Sequence, residues 1–475
     1  MPKEMGTSTQ AVLWSYIGTF FSLSSGFLLL PFILLKLSGA DLGLWYVFLS
    51  VNGFLALFDF GFAPTFARNF AYVWSGAKRL TRQGMTEKTS TEVDPNLFRL
   101  LYQSCRVLYL FLSIVALFLL LSIGSFYISH ITNGFSGKNY LLSWLVMCAS
   151  FFLNLYFDYF ASILRGINAI KSINVALVIS KISQIAISAI LLMLGVGVLG
   201  AVIGFLAQGV IFRQYCKSTF FKNQKVDEIF SKSKKRISLN EVIATIKTVL
   251  PNSVKDGFVS IANYAATQGS SIIISLRVSL TIVGHYSLVL QLINAVASVS
   301  IAINNAYLPT IQNRMVARAK RRLQSIIGRC QVAYIAVFWL GSIAVYFVVI
   351  PVVRILRPEF SFPTATFLLM VTYYFLFNQQ SGYATYIAAA NEIPYARAFV
   401  VSSGLSVLLV FLSLEFYPNN LTFVVIAQIV AQAVFNNWYW IRYFYKREGF
   451  SLLPTLSVGV QGWFNSVLRH LTSAA

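Results

Sequence analysis

The chain has 475 residues, of which 57% are hydrophobic, 15% aromatic and only 11% charged. A soluble protein carries about 25% charged residues, so these totals exclude an ordinary water-soluble fold and make lipid the expected solvent. The formal net charge of +22 would suit a nucleic-acid partner, but the basic residues fall between long apolar runs rather than on one polar face, and none is expected.

A helix crosses a bilayer with about 20 apolar residues. Runs of this kind predict twelve spans, over residues 11–35, 42–65, 100–125, 140–164, 173–194, 199–215, 250–276, 282–311, 331–353, 363–389, 396–414 and 421–441. The first is too long for the apolar part of a cleavable signal and is followed by another span, so it reads as a membrane helix. The sixth is short, and the tenth holds the polar cluster Asn378, Gln379 and Gln380. The fold class expected is therefore all-α and polytopic, with about twelve transmembrane helices.

Lys and Arg fix the orientation, since basic loops stay in the cytoplasm. Loops after the even-numbered spans carry Lys78, Arg79, Arg82, Arg165, Lys171, Lys222, Lys234, Lys235, Arg236, Arg314, Arg318, Lys320, Arg321, Arg322, Arg397, Lys446 and Arg447, whereas the other loops hold Lys36, Lys138, Arg277, Arg354 and Arg357. This alternation predicts that both termini are cytoplasmic, and it accounts for most of the positive charge. Between spans six and seven, Ser238 and Glu241 form a capping-box pattern, which predicts a short cytoplasmic helix leading into span seven. After span twelve, Leu456, Val460, Trp463, Phe464, Val467, Leu468 and Leu471 share one helical face, and the tail is expected to lie along the membrane surface. The expected division is an N-terminal six-helix lobe over 1–220, a basic linker over 221–248, a C-terminal six-helix lobe over 249–445 and an amphipathic tail over 446–475. Cys105, Cys148, Cys216 and Cys330 have no metal-ligand or disulfide spacing and are expected as buried small hydrophobes.

An internal repeat is visible. KLSGADLGLWY from Lys36 resembles RVSLTIVGHYS from Arg277, with a cation, one apolar residue, a Ser and then a Gly five residues later. Pro64, Thr65 and Arg68 are echoed by Pro309, Thr310 and Arg314. Six spans per half gives both halves the same topology, the parallel type of transporter repeat.

The stretch ADLGLWYVFLSVNGFLALFDFGFAPTFARNFAYVWSG, residues 40–76, resembles the second-span region of bacterial polysaccharide flippases. These form the polysaccharide-transporter branch of the MOP exporter superfamily, whose other branches are the MATE drug exporters and the lipid II flippases. The resemblance implies a V-shaped cavity between two six-helix lobes, lined by spans one, two, seven and eight. It also implies alternating access and a lipid-linked oligosaccharide as cargo, in the bacterial inner membrane beside polysaccharide assembly proteins.

An ionisable residue within a span costs about 2.5–3.5 kcal/mol on insertion scales and marks a candidate site. Asp59, in the cytoplasmic half of span two, and Lys255 and Asp256, near the start of span seven, are expected to meet at one cytoplasmic vestibule, as coupling or gating groups or as a structural ion pair. Lys36 and Arg277 end spans one and seven on the outside, where they form a gate, meet a diphosphate or snorkel to the interface. Arg68 and Arg314 anchor spans two and eight inside, or receive an anionic head group. Asp158 and Lys181 face each other from spans four and five, as a stabilising pair or as coupling groups for a proton or sodium ion. Among neutral polar residues, Ser15, Thr19 and Ser22 share one face of span one, and Asn263, Gln268, Asn294, Asn304 and Asn305 line spans seven and eight. Such faces suit sugar hydroxyls, and they also join helices to one another. His285 reads as an interfacial residue.

Three functions compete. A flippase for a lipid-linked oligosaccharide fits the cations. An ion-coupled exporter of small cationic or amphiphilic molecules would favour acids in the cavity. A membrane enzyme of polysaccharide assembly would need positioned carboxylates or His in a substantial outer loop, and neither metal-protease, nucleotide-binding nor paired-carboxylate patterns occur. No catalytic residue, metal or cofactor is expected.

Overall fold

The computed structural model describes Trp14, Gly26 and residues 28–80, 92–132, 139–233, 237–316, 320–388, 394–418 and 420–474. Every regular element among them is helical, because backbone groups in hydrocarbon must be satisfied within their own segment. Nine helices among the described residues are long and apolar enough to cross a membrane, so the chain is an all-helical, multi-pass membrane protein. They match nine of the twelve expected runs. Of the other three, the first lies mostly outside the described residues. The seventh is split into α11 (Leu239–Thr267) and α12 (Gly269–Ser275) at Gln268. The tenth, α16 (Thr364–Ala388), is a full 25-residue helix whose polar residues lower its hydropathy.

Two compact units form. One runs to Tyr264 and also takes Ser279–Gly284; the other contains Ala265–Val278 and everything from His285 on. In the first unit, α1 (residues 28–36) turns at Leu37 and Ser38 into α2 (Gly39–Leu55). The Ser38 hydroxyl caps α2 by accepting the Asp41 amide at 3.1 Å, which satisfies a donor that helix starts leave open. The repeated motif does the same work at the backbone, with Leu42 donating to the Ser38 carbonyl and Val283 to the Ser279 carbonyl. A 3₁₀ turn (Ala56–Asp59) follows α2, and the chain then passes through left-handed conformations at Phe60 (φ 45°) and Gly61 (φ 70°) before α3 (Phe62–Trp74). The second span is thus broken, and its helix reaches well past Thr65.

Asp94 caps α4 (Pro95–Leu119), with Pro95 at the first position where no amide is needed. A five-residue π-turn (Leu120–Gly124) leads on to α5 (Ser125–Ile131). In the second unit, α14 (Lys320–Ala344), a π-turn (Val345–Val349) and α15 (Ile350–Leu356) have the same lengths in the same order. Each composite is 37 residues long.

The first unit continues with α6 (Tyr140–Tyr156), α7 (Asp158–Gly166), α8 (Ile170–Met193), α9 (Val198–Phe221) and α10 (Gln224–Lys232). The sixth span is therefore a 24-residue helix, longer than its apolar run because Arg213 and Lys217 interrupt the hydropathy without breaking the helix. At one end of this unit, Phe70, Phe98, Tyr102, Tyr159, Phe160, Phe220 and Phe230 pack into a single aromatic core. Tyr102 stacks on Phe220 at 5.6 Å, and α10 sets Phe230 edge-on against both. The capping box is formed: the Ser238 amide donates to the Glu241 carboxylate at 3.0 Å, and the Glu241 amide donates to the Ser238 hydroxyl at 3.3 Å. The helix it starts differs from expectation. It is no separate short element, since α11 runs unbroken through Pro251 and is 29 residues long in all.

The second unit adds α13 (Leu280–Val316, its first residues shared with the first unit), α16, α17 (Ala396–Phe416), α18 (Leu421–Ala433), α19 (Asn436–Glu448) and α20 (Leu452–Ala474). The last span bends at Val434 and Phe435, between α18 and α19. The tail helix α20 docks on α14 through small residues. A methyl group on Gly328 or Gly459 would overlap the other helix's backbone, and the Trp463 indole donates to the Arg329 carbonyl at 3.0 Å. Val460 and Phe464 remain exposed. All four cysteines are buried free thiols, as expected.

Candidate functional site

Asp59 ends the 3₁₀ turn just before the left-handed break. Its carboxylate accepts the Ala63 amide at 3.1 and 3.2 Å, so it caps α3 at the end where the helix dipole favours negative charge. The Tyr109 hydroxyl of α4 also donates to it, at 2.5 Å. The greasy second span tolerates a carboxylate because it is broken there, and the break supplies the donors.

Asp59 also lines a cavity of about 470 Å³ inside the first unit, together with Asn52, Asn154, Asp158, Lys181, Gln208 and Arg213. Asp158 opens α7, immediately after the kink at Phe157. At this kink the Arg213 guanidinium donates twice to the Asn154 carbonyl, at 3.1 and 2.8 Å, and once to the Gly209 carbonyl at 2.7 Å. Gly209 packs closely here, so a methyl group on it would displace the Asn154 side chain. The Lys181 ammonium donates to the Gln184 side chain at 3.2 Å. Asp158 and Lys181 share the cavity without forming an ion pair, so the directly bonded pair expected from their facing spans is replaced by a looser set of two carboxylates and two cations. Charges held this way within spans are expensive, which makes the cavity the strongest candidate site among the described residues.

Of the residues singled out from sequence, the structure brings Asp59, Asp158 and Lys181 together. Lys255 and Asp256 sit on α11, and their side chains lie outside the described residues. Their helix crosses the Phe60 turn at Gly257, where a methyl group would lie 2.8 Å from the Phe60 ring. Lys36 is exposed at the end of α1. Arg68 is exposed on α3 and donates to the Thr65 hydroxyl at 3.2 Å. Asn263 is half-buried on α11. In the second unit, Gln268 stands at the α11–α12 break, Asn294 is half-buried on α13, and Arg314 lies in the last turn of α13. Arg277 is held by Glu415 of α17 at 2.8 Å, with its guanidinium over the Phe411 ring. His285 is buried against Phe360 rather than interfacial. Ser15, Thr19, Ser22 and Asn305 fall outside the described side chains.

Sequence reasoning missed Arg213, Tyr109, Asn154 and Gln208. Arg213 carried a readable signal, a lone cation within an apolar run. Tyr109 carried none, since a tyrosine in a span is ordinary.

No known protein family matches the chain, and no curated protein matches its sequence. Solved structures do match its fold. A multidrug resistance MATE family transporter of the MOP superfamily, in an inward-facing conformation, aligns with a TM-score of 0.61 at 17% identity, over 92% of this chain and 96% of that one. A lipid II flippase, MurJ, in an inward closed conformation, aligns with a TM-score of 0.60 at 15% identity, over 97% and 93%. A MATE transporter from Vibrio cholerae aligns with a TM-score of 0.55 at 11% identity, over 92% and 96%. The chain therefore has the fold of MOP superfamily transporters.

Proposed function

We propose that the chain flips a lipid-linked oligosaccharide, carried on a polyprenyl diphosphate, from the cytoplasmic to the periplasmic leaflet of the bacterial inner membrane by alternating access, in O-antigen or exopolysaccharide assembly. The observation that carries this reading is the charge set of the first-unit cavity. Lys181 and Arg213 stand in it beside Asp59 and Asp158, and such groups suit a path for a polar, charged head group. The fold is also that of a lipid II flippase. A polyprenyl tail can stay in lipid while fixed polar groups replace water around the sugar and diphosphate. Two negative charges leaving a negative interior gain about 4–5 kcal/mol per 100 mV. Asp59, Asp158, Lys181 and Asp256 are assigned to coupling or gating, by a proton or sodium ion. Lys255, Arg277, Lys36, Arg68, Arg314, Asn263, Gln268 and Asn294 are assigned to the cargo path. No chemical step is assigned to any of them.

The two carboxylates favour a second reading, ion-coupled export of small cationic molecules, which the MATE folds match equally well. Proteoliposomes decide between the two. Protection of a labelled polyprenyl-diphosphate oligosaccharide on one leaflet should be lost when the protein is present, and a drug cation should not be pumped. The opposite pair of results replaces the flippase by the exporter.

A further inference from the structure

The last membrane span carries a feature that the transport reading does not use. Along α19, Trp438, Arg442 and Lys446 recur every fourth residue, which places them on one stripe, and Val430 and Val434 precede them across the bend. Val430, Val434 and Trp438 are all more than a third exposed. Two grooves, of about 680 and 560 Å³, flank this stripe, and Trp438, Arg442 and Lys446 line both of them. Arg447 is engaged by Glu448 at 3.7 Å, whereas Arg442 and Lys446 make no ion pair among the described residues. Asn437 lines the smaller groove and is only 9% exposed, yet neither its amide nitrogen nor its amide oxygen has a partner among the described residues. A buried amide without partners costs about 1–3 kcal/mol, so a ligand that completes it is favoured.

We infer that this stripe is a binding site for an anionic glycerophospholipid. The order of groups along the helix is the order along such a lipid. Lys446 and Arg442 meet the phosphate, and Asn437, about 7.5 Å deeper at 1.5 Å per residue, meets the ester linkage. Trp438 sits at the head-group level, where its ring is favoured, and Val434 and Val430 face the acyl chains. Basic pockets at the cytoplasmic ends of spans recognise anionic head groups in this way. The basic loops put this end of the span in the cytoplasm, where such lipids supply negative surface charge. The site lies within the second unit and does not depend on what the protein transports.

The test uses the purified full chain in nanodiscs, with phosphatidylglycerol, phosphatidylcholine, or phosphatidylglycerol plus inorganic phosphate. Retained lipid is counted by native mass spectrometry. Wild type should retain phosphatidylglycerol preferentially, and Arg442→Gln with Lys446→Gln should lower that retention about thirty-fold. Lys222→Gln with Lys225→Gln, on the other unit, should leave it unchanged. Equal retention by wild type and the Arg442/Lys446 variant overturns the site, as does displacement of the lipid by inorganic phosphate alone. Should that variant fail to fold, bromine-labelled lipids read the site in wild type. Labelled phosphatidylglycerol should quench indole fluorescence more than labelled phosphatidylcholine, and Trp438→Phe should erase the difference. Equal quenching by the two lipids in wild type discards the assignment.

Discussion

Gly43 and Gly284, the matching glycines of the two repeated motifs, pack against each other. A methyl group on Gly284 would lie 2.9 Å from the Gly43 nitrogen, and one on Gly43 would overlap the Leu280 carbonyl. The start of α13 is thereby seated against α2, backbone to backbone, and both belong to the first unit. Gly43→Ala should destabilise by about 1–3 kcal/mol through overpacking. Gly404→Ala, where no atom lies within 4 Å, should be neutral or stabilising by up to about 1 kcal/mol. Thermal unfolding in detergent, followed by indole fluorescence, compares the two. A Gly43→Ala variant as stable as Gly404→Ala would show that the contact is looser than described.

The donors on Asp59 separate holding a charge from using it. Tyr109→Phe removes one hydrogen bond to a charged acceptor and should cost about 1.5–3 kcal/mol of stability. Asp59→Asn keeps the size and much of the capping, so it should reduce transport more than it reduces protein accumulation. Equal losses would assign Asp59 to folding alone.

Arg213 bonds two carbonyls through three nitrogens, a fork that a lysine ammonium cannot reproduce. Arg213→Lys should therefore lower thermal stability although the charge is kept, and Arg213→Ala should lower it further by leaving the Asn154 carbonyl unsatisfied. A lysine variant with wild-type melting would reduce Arg213 to a point charge.

Arg277 and Glu415 are each about half exposed, at 47% and 52%, so a double-mutant cycle should give a coupling of only about 0.2–1 kcal/mol. Their roles diverge in transport. Arg277→Ala, like Lys255→Ala, should impair glycan export at constant protein level, whereas Glu415→Ala should not. Equal export by the Arg277 and Glu415 variants would place the pair outside the cargo path.

Apolar run length and loop charge made the class of fold and most of the helices legible, because a bilayer imposes one length and one backbone solution on every span. Helix starts were legible where a side chain does the capping, as at Ser238 and Glu241. The breaks were not. Asp59 was recognisable as a costly charge, but the turn at Phe60 and Gly61 that supplies its amide partner leaves no trace in hydropathy. Asp158 and Lys181 were correctly drawn to one place by span order. Arg213 joined them through the kink after Tyr156, a contact that depends on which helix face turns inward. The tail's apolar face was legible as a pattern, and Val460, Trp463 and Phe464 are exposed on it; its docking on α14 through Gly459 and Gly462 leaves no trace in hydropathy.

The π-turns in α4–α5 and α14–α15 have a further meaning. Such a turn holds one residue more than the α-helix around it, and here it follows a 25-residue helix and precedes a 7-residue one in both units. Equal spacing of the irregularity in the two units gives a fixed landmark for aligning them residue by residue where the side chains themselves no longer correspond.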